Sequence, residues 1–110
     1  MKSALDSIGS GHLHIMRWDV CDTQNMDSYL SQAKILLGGV DVLVNNAAFL
    51  AHYDSSEDFL DKTIQTNIKS VYLMCQKAAD LMISENGIRG GKIINVSSIN
   101  SFQADIHPTI

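Results

Sequence analysis

The stretch VDVLVNNAAFL, residues 40–50, decides how the rest of the chain is read. Val40 to Val44 is a near-continuous apolar run broken only by Asp41, the pattern of a strand buried on both faces of a parallel sheet. Two amides, Asn45 and Asn46, stand where that strand ends, followed by small Ala47 and Ala48. Why two hydrogen-bonding side chains and then no bulk should close the most hydrophobic strand is the question; on pattern alone Asn45 and Asn46 could simply tie two loops together.

Working outward, residues 26 to 37 place Met26, Leu30, Ala33 and Leu37 at helical spacing, with Asp22 or Thr23 as the expected cap and Gly38-Gly39 as the stop. Before them, residues 12 to 20 (HLHIMRWDV) read as a strand, and residues 2 to 8 as a helix end broken by Gly9 and Gly11. On the other side, Ser55 or Ser56 opens a long helical segment to about Ser84, with Phe59, Leu60, Ile64, Ile68, Val71, Tyr72, Cys75, Ala78, Ala79 and Met82 among its apolar positions. Gly87, Gly90 and Gly91 mark a loop, residues 92 to 96 a second buried-type strand, and 97 to 110 a polar loop. Strands alternating with helices argue for a parallel α/β sheet. Ligands of such sheets bind beyond the C-terminal ends of the strands. Asp19-Val20, Asn45-Asn46 and Ser97-Ser98 occupy the three strand ends, so three polar pairs are expected on one rim.

Composition narrows the class. The chain has 110 residues, enough for one small domain; 45% are apolar, 18% charged, and the net charge is −4. An acidic balance argues against a nucleic-acid surface. No run approaches the roughly 18 apolar residues of a membrane span, and the start, MKSALDSIGSG, has no apolar run suited to a signal peptide. Cys21 and Cys75 lie far apart and are no disulfide framework, so reduced thiols and a cytoplasmic location are expected. His12 and His14 form an H-x-H pair with no third ligand patterned nearby, so no metal site is expected. Trp18 and Tyr29 read as packing residues. The glycine pairs precede strands, whereas a phosphate cradle opens a helix.

Four segments in order resemble the short-chain dehydrogenase/reductase family. WDVCD (18–22) resembles the family's D-V-x-D element, LVNNAA (43–48) its N-N-A-G element, QTNIKSVY (65–72) the segment carrying its helix asparagine, and GGKIINVSS (90–98) its fifth strand and catalytic serine. The resemblance covers nearly the whole chain. It implies an α/β fold with a Rossmann-like doubly wound parallel sheet, incomplete here because only strands 3 to 5 of the family fold have counterparts. Residues 1–110 would then be a partial dinucleotide-binding domain, truncated at both ends.

The resemblance also implies roles. NAD or NADP would be the cofactor. Asp19 would accept from the adenine amino group, and the backbone of Val20 would meet the adenine ring. Asn45 would mainly brace neighbouring strands; Asn46 and Ala47 would line the ribose side. Ala48 stands where the family has glycine, a departure that matters only if that backbone needs positive φ. Asn67 and Ser98 would be catalytic, with Ser97 as the fallback serine. The implied activity is interconversion of a small-molecule secondary alcohol and a ketone by hydride transfer, with a homodimeric or homotetrameric parent and no nucleic-acid or membrane partner. The alternative is a non-catalytic dinucleotide-binding module or degenerate paralogue.

Two family elements have no counterpart in the sequence. The Tyr-x-x-x-Lys pair should follow the serine by about a dozen residues, and the positions four beyond Tyr53 and Tyr72 are Glu57 and Gln76. A glycine-rich turn after the first strand is absent as well. In the strand order 3-2-1-4-5-6, two further strands separate residues 12 to 20 from residues 40 to 44. That leaves roughly 14 Å between their axes. The strand carrying Asp19 would have no partner in its native place, and the isolated chain is expected to be inactive and not to form a stable native domain.

Overall fold

The computed structural model describes residues 13–50, 56–83 and 90–99. The expected helix end at 2–8, its break at Gly9 and Gly11, His12, Ser55, Gly87 and the loop from 100 to 110 lie outside them. In chain order the elements are α1 (Met26–Leu37), β1 (Val42–Asn45), α2 (Glu57–Ile64), a π-helical turn (Gln65–Lys69), α3 (Ser70–Met82) and β2 (Lys92–Asn95). The second helical segment expected from the sequence is therefore continuous from 57 to 82, with one wide turn in its middle.

Local chemistry sets the helix ends. Ser56 caps α2, its hydroxyl accepting from Phe59 N at 3.2 Å, and Glu57 and Asp58 place negative charge on the positive end of the helix dipole. Gly38 ends α1 at φ +75°, the left-handed conformation that a Cβ disfavours. The start of α1 differs from expectation: the cap is Asn25, not Asp22 or Thr23. Asp22 is turned back on Asn25, whose Nδ2 donates to both carboxylate oxygens at 3.1 and 2.9 Å. A tight turn over residues 19–23 holds it there, with Asp22 N donating to Asp19 O and Thr23 N to Cys21 O.

β1 and β2 pair in parallel, with Val42 opposite Lys92 and Asn45 opposite Asn95. α3 packs on β1, and Met26, Leu30 and Met74 form a buried core with Leu43, Leu73, Leu81 and Trp18 packed against it. The Trp18 and Tyr29 rings stack at 5.0 Å, so both act in packing. At Gly91 a side chain has no room: a Cβ would collide with Met82 and lie 2.9 Å from Asp41 O, the acceptor of Lys92 N.

Three expectations are corrected. Residues 13 to 19 form no strand, because no neighbouring strand is present among the described residues to satisfy their backbone. The sheet is not buried on both faces: Leu43 points to the core, but Val42 and Val44 are each 54% exposed, because helices cover one face only. Leu37, placed on the apolar stripe of α1, is 61% exposed, since only the first two turns of that helix meet the core. No described helix is long and apolar enough to cross a membrane.

Candidate functional site

The register of the sheet sets two asparagines side by side. Asn45 Nδ2 donates to Asn95 Oδ1 at 2.8 Å, and the ladder continues past the strand as Val96 N donates to Asn45 O at 3.0 Å. Cys75 of α3 closes the group: its Sγ lies 3.4 Å from Asn45 Nδ2 and 3.6 Å from Asn95 Oδ1. A side-chain amide here ties strand to strand and both to a helix, supplying a donor and an acceptor at once. The sequence placed Cys75 only among apolar positions; its polar contacts appear once β1 and β2 are in register.

Beyond this knot the chain presents small groups. Asn46, Ala47 and Ala48 are exposed, and no non-glycine residue among those described has positive φ, so the methyl of Ala48 is accommodated without backbone strain. Val20, Asn45, Asn46 and Ala47 line one cleft of about 180 Å³ with Trp18, Leu43, Val44, Ser70, Val71 and Met74. Four of the eight expected site residues therefore converge. Trp18 Nε1 is buried with no hydrogen-bond partner among the described residues.

Asp19 stands on the exposed turn before α1. Its Oδ1 accepts from Cys21 N at 2.9 Å, while Oδ2 has no partner among the described residues. One oxygen ties the carboxylate to the turn, and the residue as a whole is exposed.

Asn67 lies at the centre of the π-helical turn, half-buried. Its Oδ1 accepts from Phe49 N at 2.7 Å and its Nδ2 donates to Phe49 O at 3.0 Å. The amide thus closes on the backbone of a single residue just past Ala48, as a neighbouring strand would. π-turns occur often at functional sites because they re-aim side chains within a helix. The two preceding residues also reach out, Gln65 Nε2 to Cys21 O at 3.2 Å and Thr66 Oγ1 to Cys21 Sγ at 3.1 Å. Sequence reasoning missed both; the polar run Gln65-Thr66-Asn67 inside an apolar-striped helix was the available signal. Ser97 and Ser98 are exposed just beyond β2. Asp19, Ala48, Asn67 and Ser98 do not line the cleft. Among the described residues no three His, Cys, Asp or Glu side chains are grouped as metal ligands would be.

A family model of short chain dehydrogenases matches residues 1–109. The chain belongs to that family. It is 38% identical over 91 residues to the 2-dehydro-3-deoxy-D-gluconate 5-dehydrogenase of Escherichia coli, covering 80% of this chain and 35% of that protein. It is 35% identical over 89 residues to an L-rhamnose 1-dehydrogenase (NAD(P)(+)) of a Sphingomonas species, covering 78% and 34%. Among solved structures, a short-chain type dehydrogenase/reductase from Mycobacterium marinum matches at TM-score 0.70 and 31% identity, over 83% of this chain and 37% of that one. A doubly substituted Serratia marcescens short-chain dehydrogenase/reductase matches at TM-score 0.78 and 25% identity, over 96% and 43%. The fold is thus an incomplete Rossmann-type α/β arrangement, and the chain spans about a third of the length of the curated relatives it matches.

Proposed function

We propose that the chain is the central segment of a cytoplasmic NAD(P)-dependent oxidoreductase that interconverts a secondary alcohol and a ketone. The carrying observation is the convergence of Val20, Asn45, Asn46 and Ala47 on one cleft beside the knotted end of β1. The residues suit a dinucleotide: a carboxylate oxygen at Asp19 without a partner among the described residues for an adenine amino group, and methyl-sized side chains at Ala47 and Ala48 where a ribose must approach the backbone. The cofactor, when bound, supplies the hydride chemistry.

The protein's own residues would do the rest. Asp19 and Val20 take the adenine end, Asn46 to Ala48 line the ribose side, and Asn45 holds the strand ends at fixed spacing. Ser98 would hydrogen-bond the substrate oxygen. Asn67, with its side chain engaged by Phe49, would set the position of the loop after β1 and hold a water for proton relay through its backbone. The acid/base pair, Tyr-x-x-x-Lys in the family, would come from outside these 110 residues. An unassisted phenol with a pKa near 10 is a weak base at neutral pH, so proton transfer would be absent from the segment alone. The exposed Ile68 and Tyr72 on the long helix support a homodimeric or homotetrameric parent.

The test compares the product of the coding sequence with both flanks against residues 1–110. Reduction of NAD or NADP is followed over a panel of secondary alcohols, sugars and sugar acids included. Turnover by the longer form and none by the segment is expected. The full closure of Asn67 on Phe49 favours a second reading, a non-catalytic dinucleotide-binding module; dinucleotide binding by the longer form without turnover of any panel member would establish it.

A further inference from the structure

The π-helical turn joins two loops that the sequence keeps far apart. Ser70 N donates to Gln65 O, five residues back, so Thr66 O loses the amide donor that an α-helix would give it. Ser70 Oγ replaces that donor at 2.5 Å. The widened turn is therefore internally satisfied, and consecutive side chains leave it for different loops. Asn67 takes Phe49 after β1, whereas Gln65 and Thr66 take Cys21. Cys21 is thus held at its carbonyl and its thiol, and its amide in turn holds Asp19 Oδ1.

We infer that Gln65 and Thr66 are positioning residues for the adenine end of the dinucleotide, acting through Cys21 on the Asp19 carboxylate. The inference rests on the dinucleotide reading above. The physical basis is orientation. An exposed carboxylate on a short turn has freedom that binding must remove, and every bond that removes it beforehand lowers the cost of binding. The chain of contacts runs Gln65 Nε2 to Cys21 O, and Cys21 N to Asp19 Oδ1, on a residue that is otherwise exposed. Thr66 Oγ1 against Cys21 Sγ adds a second tie between the long helix and the same turn. Because Asn67 follows directly, the spacing between the Asp19 turn and the Ala47–Phe49 loop is set by one rigid run of three residues.

The experiment uses the intact enzyme carrying this segment and ADP-ribose, which has the adenine half of the cofactor and no nicotinamide. Gln65→Met and Thr66→Val remove the amide and the hydroxyl at similar volume, while Thr66→Ser keeps the hydroxyl. The expected result is a rise in the ADP-ribose Kd of about threefold to tenfold in each of the first two variants, the effect of losing one neutral hydrogen bond. Thr66→Ser should bind as the wild type does, and kcat at saturating dinucleotide should stay unchanged in all three. A kcat that falls in step with the rise in Kd would overturn the inference, because the run would then be serving the reaction centre through Asn67. Equal ADP-ribose affinity in all variants would overturn the positioning role alone. Failure of the wild type to bind ADP-ribose would overturn the dinucleotide reading and this inference with it. The two single removals are independent, so unfolding of one leaves the other to decide.

Discussion

Residues 42–45 and residues 13–19 make the instructive pair. Both are rich in apolar and β-compatible side chains, and both end in polar residues suited to a ligand rim. Only the first is a strand. Val42 to Asn45 has a ladder to Lys92 to Asn95 and a helix across one face. Residues 13–19 have no neighbouring strand among the described residues; Met16 and Trp18 are half-buried, Trp18 against the core, while Leu13 and Ile15 are 39% and 61% exposed. The difference lies in what stands beside each segment. Strand propensity describes fit to a pleated, half-buried surface, so it is realised only where that surface exists. The Asp19 turn nevertheless keeps its place, because its anchors come from the long helix and from the Trp18–Tyr29 stack, neither of which needs a sheet.

The largest test of this contrast is to supply the missing neighbours. Residues 1–110 alone should show no cooperative thermal transition, and their amides at 13–19 should exchange with solvent at least about tenfold faster than those of residues 43–45 and 93–96. In a longer form carrying a glycine-rich strand–turn–helix ahead of Met1, the two sets should be protected alike and unfolding should become cooperative. A dispersed amide spectrum and a sharp transition for residues 1–110 alone would break the comparison, since the unpaired segment would then be stable without a sheet.

Smaller effects probe the paired region, measured in a form that unfolds cooperatively. Gly91→Val should destabilise by about 1–3 kcal/mol, the usual range for overpacking. The added side chain meets Met82 and crowds Asp41 O, the acceptor that starts the β1–β2 ladder. Urea unfolding would measure it, and an unchanged midpoint would mean that β2 can shift away from α3. Asn67→Leu should cost about 1–2 kcal/mol, because Phe49 N and O both lose their partner while water reaches part of the site. A loss of activity far beyond that stability change would assign Asn67 a role in the reaction besides holding the loop.

Much of this was legible beforehand, for stated reasons. The apolar run before Asn45 located β1, the spacing of Met26 and Leu30 located α1, and the Ser55-Ser56 pair located the start of the long helix, since each of these signals is local in sequence. The bracing of neighbouring strands by Asn45 was an implication of the family resemblance, and its partner was not legible, because Asn95 becomes a neighbour only through a parallel register across 50 residues. The π-turn was hidden for a similar reason. Gln65-Thr66-Asn67 looks like a solvated helix face until Cys21 and Phe49 are known to stand against it. Residues 13–19 read as a strand and form none, because the pattern records suitability for a sheet and not the sheet's presence.

The smallest expected effect separates tertiary anchoring by charge from anchoring by packing. Lys77 Nζ donates to both carboxylate oxygens of Asp27 at 2.6 Å, joining α3 to α1 at the surface. The same two helices meet beneath it through Met26, Leu30 and Met74. Asp27 is 73% exposed, so water screens the pair and ordering two side chains offsets part of the attraction. Lys77→Met should therefore change stability by at most about 1 kcal/mol, and that difference should shrink further in about 1 M salt, where screening acts within a few ångströms. Met74→Ala should cost about 2–5 kcal/mol, the range for emptying a buried methionine site, with no comparable dependence on salt. If the Lys77 variant instead lost as much as the Met74 variant, the helices would be held by their surface charges. The Asp19 turn, which is carried by the same helix pair, would then loosen with ionic strength, and dinucleotide affinity would fall with it.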